Sequence, residues 1–314
     1  MRLAAFALSA SLAAAAAAGD FSREAVGTSA AQFLKLAVSA RGAALGEAYS
    51  ALADDASALY WNPAGLIKVS SNSVVLMHNS YLADSNFEYA SYARKISDTG
   101  VWAVSVQYLN SGSITQTDTS GVETGNFSPY DLAVSMGFAS YVSGFNKYPE
   151  QRVVLGVSAK IVSSKIINRD TTVSADMGLL LPWLFEDRFQ AALVVQNFTG
   201  KLRFREDSFS LPLTLKLGTR TRLAKYWDVT ADAAAPRDNY PYLAMGTEVR
   251  LPFSKTFRAA LRAGANTRAF EDYDGLRQIS CGLGISAGAM AVDYAFNPFG
   301  ELGNSHRISM TFTF

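Results

Sequence analysis

The sequence predicts an all-β protein: a transmembrane antiparallel β-barrel of about fourteen strands, with a small helical or irregular N-terminal plug in its lumen. Three observations predict it. From about Ser73 onward, hydrophobicity alternates with period two in segment after segment, the signature of strands with two different faces. Most segments are near the roughly 9–11 residues that cross a bilayer as tilted strands, longer than the about 5–6 of an average soluble strand. The chain also ends on an aromatic, Phe314, in a strand whose alternate residues Ile308, Met310, Phe312 and Phe314 are all apolar.

Residues 1–19 carry one basic residue, Arg2, then an uncharged run from Leu3 to Gly19 that ends in small residues. This reads as a secretory signal peptide cut near Ala18 or Gly19; the alternative is an uncleaved membrane anchor. No later stretch approaches the roughly 20 apolar residues that a spanning helix requires. The whole chain of 314 residues is 49% hydrophobic and 18% charged, with a formal net charge of +1. That balance leaves no basic footprint for nucleic acid and argues against disorder, because there is ample apolar surface to bury. Cys281 is the only cysteine, so no intramolecular disulfide can form. It alternates with Ile279 and Leu283 and reads as a small apolar side chain.

The segment 20–70 differs in character from the rest. Phe33, Leu36, Ala37 and Ala40 form a helical stripe or a short extended stretch, and the period does not decide between them. The Ala/Gly-rich run Ala40–Leu66 follows. In it, Asp54 or Asp55 is placed to N-cap a short helix through Ala56–Tyr60, since a carboxylate satisfies orphan backbone N–H groups. Asn62-Pro63 reads as a cap followed by the first residue of another helical turn, where proline's missing donor costs nothing.

In the remainder, 71–314, the strands alternate cleanly. Trp102, Val104, Val106 and Tyr108 oppose Ala103, Ser105 and Gln107; Met290, Val292, Tyr294 and Phe296 oppose Asp293; and Leu211, Leu213, Leu215 and Leu217 oppose Thr214 and Lys216. The expected spans are 72–80, 86–95, 100–110, 129–142, 151–164, 171–182, 188–197, 211–224, 226–235, 241–251, 256–266, 275–286, 288–297 and 304–314. Links near Ser97, Trp183–Asp187, Ala224, Phe253 and Ala287 are short, while Asn110–Ser128, Phe198–Ser210 and Asn266–Gly275 are long and polar; Ser143–Glu150 is an exception on the short side. Such alternation is expected of a barrel with one end in the periplasm. A soluble sandwich also alternates but points its apolar faces inward. Export and strand length favour the membrane.

In a barrel the polar faces become the lumen. They carry Arg152, Lys160, Lys216, Arg220, Arg250, Arg258, Arg262 and Arg307, with Asp131, Asp228, Asp232, Glu248 and Asp293 as counter-charges. Charges so placed must pair or stay hydrated. Either they clamp the N-terminal stretch through its own Arg41, Glu47, Asp54 and Asp55, or they line a hydrated lumen without specific partners.

The run Ala40-Arg41-Gly42-Ala43-Ala44-Leu45-Gly46-Glu47-Ala48, continued by Ala53-Asp54-Asp55-Ala56-Ser57-Ala58-Leu59-Tyr60-Trp61-Asn62-Pro63-Ala64-Gly65-Leu66, resembles the N-terminal plug region of FadL-like outer-membrane proteins. With the preceding Ala31-Gln32-Phe33-Leu34-Lys35-Leu36 it is more similar to the PorV/PorQ branch of that superfamily. The plug residues that carry the resemblance are Arg41, Gly42, Gly46, Asp54, Asp55, Asn62, Pro63, Ala64 and Gly65, of which Asn62, Pro63 and Ala64 match the Asn-Pro-Ala hatch motif. The C-terminal Ile308, Met310, Phe312 and Phe314 resemble the signal that the barrel assembly machinery reads. The FadL resemblance implies a fourteen-stranded barrel with a lumenal hatch, carrying hydrophobic molecules across the outer membrane. The PorV/PorQ resemblance implies instead a component of type IX secretion that binds secreted cargo proteins or surface attachment enzymes.

Function on this reading lies first with secretion and alternatively with uptake of long-chain fatty acids or other hydrophobic molecules, in the outer membrane of a Gram-negative cell. An apolar pocket for uptake would draw on Phe33, Leu34, Leu36, Leu59, Tyr60 and Trp61, unless these pack the plug against the wall. A docking rim for secretion would draw on Asn110–Ser128 and Phe198–Ser210. The expected partners are outer-membrane lipids, the assembly machinery, and cargo or a hydrophobic ligand, with no nucleic acid. Catalysis is not expected. His78 and Ser80 share a strand face, and outer-membrane lipases use a serine and a histidine, but no third member is recognisable. No histidine–cysteine cluster for a metal and no Gly-rich phosphate loop is present, so no cofactor is expected.

Overall fold

The computed structural model describes residues 20–82, 85–142, 152–204, 206–268, 279–299 and 303–314. The expected signal peptide and the Ser143–Glu150 link lie outside them. Among the described residues eighteen strands run in order: β1 Asn72–Ser80, β2 Asn86–Ser97, β3 Gly100–Asn110, β4 Ile114–Thr117, β5 Glu123–Phe127, β6 Tyr130–Tyr141, β7 Val154–Lys165, β8 Arg169–Leu180 and β9 Phe189–Gln196; then β10 Lys201–Phe204, β11 Asp207–Ser210, β12 Thr214–Ala224, β13 Trp227–Pro236, β14 Tyr242–Pro252, β15 Phe257–Asn266, β16 Ile279–Ala287, β17 Met290–Pro298 and β18 Asn304–Thr313. Fourteen of these close an antiparallel barrel, β1-β2-β3-β6-β7-β8-β9-β12-β13-β14-β15-β16-β17-β18 and back to β1. Closure joins the two ends of the chain's β region: Asn72 and Phe314 exchange backbone hydrogen bonds of 2.9 and 3.1 Å. Every wall strand pairs with a neighbour on each side, as a β structure in lipid requires, and the shortest seam is β8–β9, which pairs only over Met177–Leu180.

The direction of the two faces separates a membrane barrel from a soluble sandwich. Outward positions carry exposed large apolar residues such as Met136, Ile161, Leu217, Met245, Leu283 and Met310. Inward positions of the same strands are small or polar: Ser135, Ser158, Lys216, Glu248, Ser280 and Ser309 are buried. Among the described residues, no helix is long and apolar enough to cross a membrane; the strands do so. Cys281 faces outward and is exposed.

Four short strands were not expected. β4–β5 and β10–β11 are hairpins inside the two long links Asn110–Ser128 and Phe198–Ser210. Two expected spans start three residues later, β7 at Val154 rather than 151 and β12 at Thr214 rather than 211, where Leu211 is turned into the core; residues 275–278 of the expected span 275–286 lie outside the described residues. The core itself is where plug meets wall. Phe33, Leu34, Val38, Leu52, Leu59 and Trp61 from the plug pack with Val75, Met77, Phe87 and Val101 from β1–β3.

Candidate functional site

The plug enters the lumen from one mouth and leaves at the other. At the far mouth, Phe21 N donates to Arg237 O and Ala30 N to Ser210 O. At the mouth shared with Phe314, Val69 leads into β1. In between lie a 3-10 turn at Gln32–Lys35, an extended stretch, a helix at Ala40–Ala44, a helix at Ala58–Trp61 and a 3-10 turn at Pro63–Lys68. The expected helical stripe is thus half turn and half extended. Ser39 caps the first helix by accepting from Gly42 N, and Trp61 Nε1 donates to the same hydroxyl.

Asn62 caps the final turn: its Oδ1 accepts from Ala64 N at 3.0 Å, with Pro63 at the first position. Its amide donates to Ser50 O at 2.9 Å, tying two parts of the plug together. Asn62→Ala removes both buried bonds and is expected to destabilise the plug by about 2–3 kcal/mol. The loss would be read as a lower denaturation midpoint in heat-modifiable gel migration; an unchanged midpoint would contradict it. Neither aspartate caps the helix as expected. Asp55 Oδ1 instead accepts from Ser57 N at 2.8 Å, a local turn that leaves Ser57 at the helix start. Asp54 pairs with Arg41. Burial pushes the Asp54 carboxyl up, but Arg41 and Lys68 together hold it below the usual carboxylate value. Burial lowers the Lys68 ammonium to about 7, although Asp54 opposes this.

Lumenal charges hold the plug. Arg41 binds Glu248 through Nε at 2.8 Å and Nη2 at 3.0 Å. Glu248 also receives Arg262 Nε at 2.7 Å, and Arg262 reaches Asp293 at 2.7 Å. Arg250 bridges Glu248 to Asp228, which binds Arg220 at 2.8 Å. The network therefore sets the guanidinium groups of Arg41, Arg220, Arg250 and Arg262 against the carboxylates of Asp54, Asp228, Glu248 and Asp293, four against four. Further along, Asp232 accepts from Ser50 N at 3.1 Å, Ser309 accepts from Ala40 N at 2.7 Å, and Glu47 pairs with Arg268. Lys160 serves the wall itself, pairing with Asp176 at 2.7 Å. Arg258 is exposed at the mouth and Asp131 is only partly buried.

Shape holds it too. A Cβ on Gly264 of β15 would overlap Gly46 N, and Gly46 itself has φ +65 and faces the Ala265 backbone. On β7, a Cβ on Gly156 would overlap Pro63 and Ala64 in the same way. Gly42 and Gly65 lie at close contacts inside the plug, against Trp61 and the Ala53 carbonyl. That Gly156 and Gly264 seat two bends of the plug is a fact of register, which hydropathy does not carry.

A cavity of 40 Å³ remains between the plug and the wall near the far mouth, lined by Lys35, Glu47, Tyr60, Lys216, Tyr242 and Arg268 among others. Of the six apolar plug residues expected to line a pocket, only Tyr60 does so; Phe33, Leu34, Leu59 and Trp61 are buried in the core, with Leu36 packed against it. His78 and Ser80 face outward. His78 Nδ1 meets Glu88 at 2.7 Å, and among the described residues no serine joins it at hydrogen-bond distance. At the C-terminus, Ile308 and Met310 point outward and Phe314 is exposed.

A closed fourteen-strand barrel with an apolar outer wall and its own N-terminal segment seated in the lumen is a bacterial outer-membrane barrel of the plugged kind. The chain belongs to the Uncharacterised protein family UPF0164, whose model matches residues 7–193. Over 82 residues, 26% of this chain, it is 40% identical to a UPF0164 protein of Treponema pallidum (strain Nichols), a match spanning 19% of that protein. Among solved structures it is similar to the Ralstonia pickettii toluene transporter TbuX, at 11% identity over 88% of this chain and 98% of that one, with a TM-score of 0.57. A Pseudomonas aeruginosa FadL homologue matches at 9% identity over the same shares, with a TM-score of 0.55. The monoaromatic hydrocarbon channel CymD matches at 11% over 88% and 97%, with a TM-score of 0.59. At these identities the likeness is one of fold.

Proposed function

We propose that this protein is an outer-membrane channel for small hydrophobic or amphipathic molecules, gated by its plug. The observation that supports this most is the plugged fourteen-strand architecture, shared over 88% of the chain with a toluene transporter and a monoaromatic hydrocarbon channel. The cavity beside Tyr60 and Tyr242 is the receiving site, and passage requires the plug to shift, because its backbone rests directly on the wall.

A second reading, the PorV/PorQ-type role in type IX secretion, draws support from one feature. The β4–β5 hairpin stands clear of the barrel with every residue exposed except Phe127, a surface suited to a protein partner. The other rim segment is less suited, since β10–β11 turns inward and buries Leu202. A deletion strain scored twice separates the readings. Loss of hydrocarbon or long-chain acid uptake with normal secretion supports the channel. Stalled surface proteins with normal uptake would replace it by the secretion role.

A further inference from the structure

We propose that the outer wall of β6–β8 binds an anionic, phosphate-bearing membrane lipid, with Lys165 and Arg169 holding its phosphate at the mouth away from Phe314. The site lies on the lipid side of the barrel, so the inference goes beyond the channel reading and does not depend on it.

The outward face of the wall carries few cations. Among the described residues of the fourteen wall strands, alternation turns only three Lys or Arg side chains outward: Arg94 at the mouth shared with Phe314, and Lys165 and Arg169 at the other. These last two are direct cross-strand partners at the β7–β8 turn. Like charges set opposite one another destabilise a hairpin unless an opposite charge lies between them. Among the described residues no carboxylate supplies it. Asp131 and Asp170 belong to the lumenal face, where Asp170 accepts from Arg203 N; Asp207 stands opposite Phe204 on β11.

Each cation leans one strand toward β6. Lys165 Nζ lies 5.9 Å from the centre of the Tyr130 ring. Arg169 Nε donates to Ser163 Oγ at 2.8 Å, which leaves its two terminal nitrogens without an acceptor among the described residues. Phosphate oxygens suit this donor set, taking paired bonds from the guanidinium and a point charge from the ammonium. Two more cations flank it. Lys201 and Arg203 are exposed on the face of β10 opposite the buried Leu202, and Thr172 and Asp170 of β8 fasten their backbone N–H groups. Their cross-strand partners are Ser210 and Ser208.

Position argues for a lipid rather than a free ion. Tyr130 pairs with Asn110 at the base of the long Asn110–Ser128 link, which marks this mouth as the exterior one. Tyr108 and Tyr130, with ring centres 6.0 Å apart, supply the aromatic residues that sit at headgroup level. Below the polar pair Ser163 and Thr171, the exposed Val134, Ile161 and Val173 form an apolar row across β6–β8. Further along, Trp102, Met136, Phe138, Val157 and Ala159 line a groove of 530 Å³ in the outer wall. From Lys165 to Ala159 is about 20 Å along β7. At a strand tilt of about 40° that is a depth of about 15 Å, one leaflet of a hydrocarbon core of roughly 30 Å. Cations at headgroup level above an apolar groove one leaflet deep match a phosphate carried on acyl chains.

The test incubates the purified full-length barrel in nonionic detergent with dipalmitoyl phosphatidic acid or dipalmitoyl phosphatidylcholine. Native mass spectrometry counts the retained lipids, with inorganic phosphate as competitor. One phosphatidic acid per barrel is expected, held about tenfold more strongly than phosphatidylcholine. Lys165→Gln combined with Arg169→Gln is expected to abolish that preference, while Lys165→Arg keeps it. Should the double variant not fold, either single change to Gln is expected to weaken retention about threefold. Arg94→Gln removes the outward cation at the other mouth and is expected to change nothing. Equal retention of the two lipids by wild type, an undiminished preference in the folded glutamine variants, or an equal loss in Arg94→Gln overturns the proposal. Displacement of the lipid by equimolar inorganic phosphate would assign the site to the free anion and overturn it as well.

Discussion

Glu248→Gln is expected to loosen the plug more than any other single change to its charge network. Glu248 is the point where plug and wall meet electrostatically: Arg41 binds it through two nitrogens, Arg262 through a third, and Arg250 lies 3.8 Å away. Its side chain is 1% exposed. The glutamine keeps the shape but removes the charge, so four guanidinium groups face three carboxylates around a position that is itself 1% exposed. Breaking a buried pair in this way costs about 3–5 kcal/mol, because the remaining charges stay buried without compensation. The expected readouts are a lower denaturation midpoint and faster proteolysis within residues 20–70, with the barrel strands still folded. Arg41→Gln on the same background restores the balance and recovers part of the loss, and a positive coupling in that double-mutant cycle is the signature of a direct pair. If Glu248→Gln left both plug protection and midpoint at wild-type values, the plug would be held by packing alone.

The fourteen wall strands were legible because lipid on one side and lumen on the other impose the same alternation on every one of them. The β4–β5 hairpin was not, because Thr115, Gln116, Thr124 and Asn126 give no apolar face for periodicity to detect; β10–β11 does alternate at Leu202 and Phe204, but its strands are four residues each, far short of a wall strand. Lys216, Asp232 and Glu248 were legible as lumenal charges. Which of them finds a partner is decided by strands distant in sequence: Glu248 meets Arg41 across 207 positions, and Lys216 meets only rings. The same holds for Arg268 and Asp238, which sit in links that alternation does not sort into inside and outside. Asp54 and Asp55 looked like alternatives for one cap, and they have two different tasks. The local sequence offered a capping role; Arg41 and Ser57 outbid the helix for it.

Gly264→Val is expected to displace the plug and open the lumen. Two bends of the plug are seated on glycine pairs five strands apart around the barrel. Leu45–Gly46 rests on Gly246 and Gly264, which face each other across β14 and β15; Asn62–Ala64 rests on Gly156 and Gly178, which face each other across β7 and β8. A side chain at Gly264 or at Gly156 meets plug main chain, and one at Gly178 meets the Asn62 amide and the Pro63 ring. The wall cannot yield, because its strands are locked in a closed ladder, and Gly46 cannot retreat without breaking its 3.0 Å bond to Ser280. Overpacking of this sort costs about 3 kcal/mol or more when no flexible side chain can move aside. The plug is the part free to give. Planar-bilayer recordings should show larger or more frequent openings for Gly264→Val and for Gly156→Val than for wild type. Gly288→Ala is the control: it also changes a glycine, at φ +58, but nothing lies within 4 Å of the new Cβ, so it strains one turn by about 1–2 kcal/mol and leaves the plug seated. Wild-type conductance from both seat variants, with the barrel folded, would mean that the plug already moves freely and that the glycine seats do not gate it.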